Sequence, residues 1–468
     1  VSKADGGTFD GNVTMAGTLT VTGATTLNGA DVTLADGVDL ITASAGTNNV
    51  RIGDEAGNAL ASGSFYNILV GDQAGEAITV GDYNIAIGHQ ALETMTGGQS
   101  NIAIGYQALQ TANVASGQQD NTAVGYLAGT AVTTGTNNTL IGASAGDALT
   151  VSVDNVAVGG NSLSADTKGQ NSVALGAGTL QSQNFTSATN TYNTAVGRGA
   201  GNAVTTGIQN TLIGALAGLS LTDADFNTAV GIGALDLDTK GSKSTAIGSF
   251  TLSTQNFSSS TDSHNTAVGY LAGYAVTTGI QNTLLGGLAG DALTDADDNV
   301  AVGMVALSSD TQGSKSTAIG KAALSTQNFS SATDSHNTAV GYHAGLSVTS
   351  GFANTLIGSL TGDALTDADY NVAVGGGALT ADTQGSRSVA IGYNALRNQN
   401  FTSATESKNT AIGMFAGGDL STGTHNTFLG YDSGGDITTG TKNTIIGSYN
   451  GNQNSLDIRT SSNTITLS

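Results

Sequence analysis

The chain has 468 residues, of which 68 are Gly and none is Pro, Cys or Trp, and 13 Lys and Arg against 35 Asp and Glu leave a formal charge of −22. The missing Cys excludes disulfides and thiolate metal sites, Gly without a three-residue period excludes collagen, and a mean hydropathy of +0.01 with no long apolar run excludes membrane insertion by apolar helices. Aromatic residues at 5% make large-side-chain cores scarce, and an acidic surface repels phosphate backbones, so nucleic acid is not expected as a partner.

In chain order, Val1 and the lack of a basic region followed by an apolar stretch suit a processed or partial chain. Residues 1–48 read as a β-rich segment of short alternating repeats. From Asn49 a single motif takes over, N-T-A-V-G and its variants, starting 23 times and usually 17 residues apart. A higher period overlies it, because the starts at Asn49, Asn121, Asn193, Asn265, Asn337 and Asn409 are each 72 residues apart. Every unit has Gly four residues after its start, as at Gly125, Gly197, Gly269 and Gly341. The position eight residues after the start runs Gly, Gly, Leu, Leu through each four-unit block, as in Gly129, Gly146, Leu163 and Leu180.

Seventeen residues cannot hold two packed helices, and Gly at this density opposes helix. A short strand with alternating branched side chains, closed by a Gly that permits positive φ or close backbone approach, fits instead. The expected fold is all-β: a β-solenoid of 23 rungs over residues 49–451, about 110 Å long at a strand spacing of about 4.8 Å, with a β junction at 452–468. Pro is absent because rung strands bond to neighbours on both sides. Asn at the rung start, as at Asn121, Asn193, Asn265 and Asn337, is expected to bond local backbone and to stack as an amide ladder. Asp166, Asp238, Asp310 and Asp382 share one rung position and read as turn formers.

In Asn121–Gly125, Thr122 and Val124 lie on one face and Ala123 on the other. Apolar residues on both faces imply burial of both. One face fills the rung interior, and the Ala face is expected outside, where small side chains let partner chains approach, most simply in a parallel homotrimeric rod.

The stretches N-T-A-V-G-Y-x-A-G and N-S-V-A-L-G resemble the head repeats of trimeric autotransporter adhesins and, more closely, the N-T-A-I-G-Y-type arrays of bacteriophage tail fibres. Residues 11–40 look like fibre-shaft repeats, and the stretch around Ser455–Asn463 is similar to junctions that precede distal modules of such fibres. The resemblance implies a homotrimer on a virion tail or other extracellular appendage, bound to fibre or baseplate proteins and to a host-surface glycan or protein receptor. A bacterial surface adhesin is the alternative it leaves open, and a polysaccharide depolymerase is the third reading.

Catalytic patterns do not stand out. The sequence lacks H-E-x-x-H, G-x-S-x-G and phosphate-loop motifs, and no carboxylate pair is confined to one rung. His264 and His336 exchange for Tyr192 and Lys408 in sibling blocks, as surface residues do. Neither an enzyme activity, a cofactor nor a metal is therefore expected; the acidic runs at Asp223 and Asp225 and their copies read as solvated turns rather than Ca²⁺ sites. Phe185, Phe257, Phe329 and Phe401, each in a Ser/Thr-rich loop of a fourth rung, are the candidate glycan contacts, against the alternative that each ring tucks its loop onto the rod.

Overall fold

The computed structural model describes residues 46–453 and 455–468, so the shaft-like 1–48 segment lies almost wholly outside the described residues. From Ala43 to Ser468 the chain forms one compact unit. Its backbone is a parallel β-solenoid, and among the described residues there is no helix.

One sheet of 24 strands runs through the unit. Consecutive rungs pair in parallel without any shift in register: Thr122 lies opposite Thr139, Ala123 opposite Leu140 and Val124 opposite Ile141. The sheet has one strand more than the motif has copies, because Ile465–Leu467, which lacks the motif, pairs in parallel with Thr444–Ile446. Each main strand is three residues long. The rung-closing Gly ends it: Gly125 has φ +146°, a region closed to side chains, and a Cβ there would lie 2.3 Å from the carbonyl oxygen of Gly142 in the next rung. Positive φ and close approach thus both apply at this column.

Beyond the strand the ladder continues through the turns. Leu127 N–H donates to Tyr106 O, Gly129 N–H to Ala145 O and Thr133 N–H to Thr150 O, each in the adjacent rung. These bonds hold three further residues per rung in the left-handed region, such as Leu127 at φ 58°, Gly129 at 59° and Asn137 at 60°. For a residue with a side chain that conformation costs about 1–2 kcal/mol. Buried Leu163 (φ 53°) and Leu180 (φ 46°) adopt it all the same, because the ladder leaves the backbone no alternative.

The faces are opposite to the expectation. Ala123, Leu140, Ala157 and Ala174 are fully buried in the solenoid interior, whereas Thr122 and Val124 are half-buried on the outside. The reason is the narrow interior. Opposite the strand stand the side chains seven, eight and eleven residues after each start, such as Ala128, Leu163 and Val132, all buried. Leu140 reaches so far across that a Cβ on Gly129 would lie 2.7 Å from its Cδ1, and one on Gly146 2.7 Å from its Cδ2. Where the strand carries Ala157 or Ala174 instead, Leu163 or Leu180 fills the space. The Gly, Gly, Leu, Leu order is the complement of the single Leu in the strand.

Candidate functional site

The rung-start Asn residues form a buried ladder along the solenoid. Asn121 Oδ1 accepts the Asn138 backbone N–H at 3.0 Å and its Nδ2 at 3.1 Å, while Asn138 Nδ2 also donates to Ser152 O at 2.9 Å. Asn193, Asn265 and Asn337 likewise donate from Nδ2 to the carbonyls of Gly207, Gly279 and Gly351, at 2.7–2.8 Å. Gly197, Gly269 and Gly341 stack as Gly125 does, with φ of +125°, +139° and +144°. These residues build the scaffold and are not displayed to a ligand.

At the fourth rung of the central blocks Ser replaces Asn and the amide column loses a member. Gln183 replaces it: Nε2 donates to Ser172 Oγ at 2.9 Å and to Asp166 Oδ2 at 2.6 Å, while Oε1 accepts from Asn193 Nδ2 at 2.9 Å. Asp166 Oδ1 accepts the backbone N–H of Gly169 at 3.0 Å and of Phe185 at 3.1 Å. Asp166 is therefore a turn former, as read from the sequence, and also the anchor of a buried network whose other member, Gln183, sequence reasoning passed over. The network recurs at Asp238 with Gln255, Asp310 with Gln327 and Asp382 with Gln399. Burial pushes the Asp382 carboxyl above its ordinary value, against the lowering effect of Gln399 and three backbone N–H groups.

The four loop phenylalanines are not open platforms for sugar. Phe185, Phe257, Phe329 and Phe401 are only 5–7% exposed. The network pins each loop through its Phe backbone N–H, and the ring folds back onto the rod: a Cβ on Gly241, Gly313 or Gly385 would lie 2.7–2.8 Å from the ring of Phe257, Phe329 or Phe401. The packing alternative accounts for these residues.

The exposed rings stand elsewhere, at the two corners that flank the outer face of the sheet. His89 stacks on Tyr106 at 5.5 Å and Tyr106 on Tyr126 at 5.3 Å, with His89 Nε2 3.2 Å from Asp72 Oδ2. At the other corner Tyr66 stacks on Tyr83 at 5.3 Å, and the Arg387 guanidinium lies 5.1 Å from the Tyr370 ring centre. The acidic runs act as brackets between rungs: Asp225 Oδ1 accepts Ile208 N–H, Asp297 Oδ1 accepts Ile280 N–H and Asp369 Oδ1 accepts Phe352 N–H. Among the described residues no three His, Asp or Glu converge as metal ligands.

Between the two corners lies the most extended feature of the surface. The first and third residues of each strand of the long sheet point outward in two columns, one of Thr, Val and Ile, the other of Val, Ile and Leu. Neither column contains a charged residue. Ile141, Ile213, Ile247, Ile319 and Ile357 are each 38–39% exposed. At about 4.8 Å per rung and roughly 10 Å across, 24 strands present on the order of 1,000 Å² of uncharged surface, mostly Thr in one column and aliphatic in the other.

No protein-family model matches the chain, no curated protein matches it in sequence, and no solved structure matches it in fold.

Proposed function

We propose that this chain is the structural rod of a bacteriophage tail fibre, assembled from parallel copies of itself, most simply three, and serving attachment to the host cell surface. The observation that carries the self-assembly is the uncharged outer face of the long sheet. Its area is of the order of the roughly 800 Å² that each partner buries in a stable interface. In-register columns of Thr and Ile offer a second copy a repeating surface along the whole rod. The tail-fibre reading rests on the N-T-A-V-G-Y arrays and is preferred to the bacterial adhesin for their closer likeness; both readings share the assembled rod. A structural role agrees with a chain whose buried polar groups are spent on amide ladders and turn brackets.

The test is the mass in solution, with and without charges on the outer face. The expected mass is three times 46.1 kDa, and Ile213→Lys with Ile247→Lys should reduce it to that of one chain without loss of β structure, because both side chains point outward. A monomeric native chain would sink the assembly, and failure of the labelled trimer to decorate any bacterial cell of a host panel would count against attachment.

A further inference from the structure

The repeat provides its own comparison, since each corner position can be read against its copies 72 residues away. Most corners are filled by large side chains. At one place the filling is missing over successive rungs, and a cleft of about 360 Å³ opens on the surface. Gly160 stands there where the copies carry Ile232, Met304 and again Gly376, Gly178 where they carry Phe250, Ala322 and Asn394, and Gly199 where they carry Leu271, His343 and Phe415; only at the rungs of Gly160 to Gly199 do the three small residues coincide. Backbone geometry does not require glycine at position 160: its φ is not left-handed, and a Cβ there would meet nothing closer than 3.9 Å. Space is what the small residue provides.

The groups around that space are polar and converge from three rungs. Arg198 stands where sibling blocks carry Tyr126, Tyr270, Tyr342 and Met414 and is exposed; among the described residues it forms no ion pair. Asn202 Nδ2 is held by Gly178 O at 3.0 Å and Gln181 Oε1 at 2.9 Å, which leaves Asn202 Oδ1 as an acceptor and Gln181 Nε2 as a donor toward the cleft. Asn161 adds a further carboxamide, and Leu216 and Leu219 supply an apolar wall. In a chain with 35 acidic residues, none lines this cleft.

We propose that this cleft binds an acidic saccharide of the uronic acid type. A guanidinium takes a carboxylate through two parallel hydrogen bonds. Carboxamides match the donor and acceptor character of ring hydroxyls, and the leucines accept the apolar face of a sugar ring. No aromatic ring lines the cleft, so selectivity rests on the carboxylate rather than on stacking. The volume lies at the small end of the range for ligand pockets, about 300–1,000 Å³, and suits a short segment of a polymer passing across the rod. The inference deepens the attachment reading by naming a ligand class and a place for it.

Titration calorimetry on the full chain tests it, with trigalacturonate as the probe, maltotriose as the neutral counterpart and acetate as the bare carboxylate. Trigalacturonate should bind, and maltotriose should bind at least about tenfold more weakly. Gly160→Met and Arg198→Tyr should each reduce trigalacturonate affinity by about tenfold or more. Both variants install a side chain that a sibling rung already carries at that position, so an unchanged melting temperature should show the fold intact. Equal binding of maltotriose, displacement by acetate at equal concentration, indifference to both substitutions, or no trigalacturonate binding at millimolar concentration would each overturn the proposal. Host-cell decoration without trigalacturonate binding would leave the attachment reading standing and remove only this site; trigalacturonate binding without decoration would do the reverse.

Discussion

The two halves of each central block fill the same narrow interior with different chemistry. In the first two rungs of the block at Asn265 the plug is apolar: Leu284 reaches from the strand between Gly273 and Gly290, and Val276 and Leu293 close the far side. In the last two rungs the strand carries only Ala301 and Ala318, Leu307 and Leu324 fill from the turn, and the far side is Asp310 and Gln327. A solenoid need not repeat its core to repeat its backbone. What must be conserved from rung to rung is the ladder, and the interior volume can be supplied from either wall. The polar half does something the apolar half does not, since Asp310 accepts the Phe329 backbone N–H at 3.2 Å and so fixes the root of the long fourth-rung loop.

The sharpest way to break the comparison is to force the filling of one half on the other. Gly273→Leu places a Cβ 2.7 Å from Leu284 Cδ1 and 2.8 Å from Leu252 Cδ2 at φ +60°. Overpacking costs about 1–3 kcal/mol and a left-handed side chain about 1–2 kcal/mol, so a loss near 4 kcal/mol is expected in thermal or denaturant unfolding. Leu284→Ala alone should cost about 2–5 kcal/mol through its cavity. Combined, the two changes give the rung at Asn265 the Ala and Leu pairing of the later rungs while Gly290 stays as it is, and the total should fall short of the sum by more than about 1 kcal/mol. Simple additivity would refute size compensation as the origin of the Gly, Gly, Leu, Leu order.

A smaller effect is expected from removing the polar plug. Asp310→Ala leaves Gln327 Nε2 and the backbone N–H groups of Gly313 and Phe329 without their acceptor. Unsatisfied buried donors cost about 1–3 kcal/mol each, and with relaxation of the loop a loss of about 3 kcal/mol is expected, concentrated in the hydrogen exchange of these rungs. The first block supplies the repair. There Met95 and Ala112 hold the two plug positions, and Asn101 continues the amide ladder with its N–H on Asn84 Oδ1 at 3.0 Å. Asp310→Met with Ser316→Asn and Gln327→Ala copies that arrangement and should recover most of the loss. If the triple variant is no more stable than Asp310→Ala, the two plugs are not interchangeable.

Much of this architecture was legible from residues in register. The Asn and Gly columns announce a stacked parallel ladder because each residue recurs at one offset with one backbone role. The direction of the faces was harder. Thr122-Ala123-Val124 has β-branched or apolar residues on both sides, so a period of two separates the faces without saying which is inside. The deciding signal is compensation of size: Leu140 shares its rung with Gly146, whereas Ala157 and Ala174 share theirs with Leu163 and Leu180. Residues that trade volume must touch, so the Ala and Leu face is the interior. The same register places Asp166 and Gln183 where Val132 and Leu149 stand in the preceding rungs, which marks both as inward and paired. The candidate cleft is not legible in the repeat because its signal is a departure from it, Arg198 and Gly199 where sibling blocks carry Tyr or Met and Leu, His or Phe.

The two halves also carry carboxylates that should make the rod respond to acid in an unusual sense. Burial raises Asp382 in a polar plug and Asp291 in an apolar pair of rungs, and Asp291 Oδ1 has no hydrogen-bond partner. Asp147, Asp297 and Asp369 are raised by burial as well. A carboxyl raised on folding contributes stability that is complete below its ordinary value of 3.8 and is lost as pH rises through the higher folded value. The opposite group is exposed: Asp262, Asp334 and Asp457 are lowered by Lys243, Lys315 and Arg459, Asp457 to about 2, and Glu406 is lowered by Lys408 and Arg387. The contribution of the three Asp is retained until pH falls below 3.8, and that of Glu406 until it falls below 4.5. Among the carboxyls those raised by burial are the first to take up protons as pH falls, and the charge of −22 is relieved in the same direction. The melting temperature should therefore climb from pH about 7.5 to about 4.5 and turn down only at lower pH. Asp291→Asn and Asp382→Asn should each flatten that climb, and Asp291→Asn, which removes a charge lacking a partner at one oxygen, should do so without lowering stability at neutral pH. A rod that melts lower at pH about 4.5 than at 7.5, in native chain and variants alike, would show that these buried carboxylates do not hold their protons more tightly in the fold.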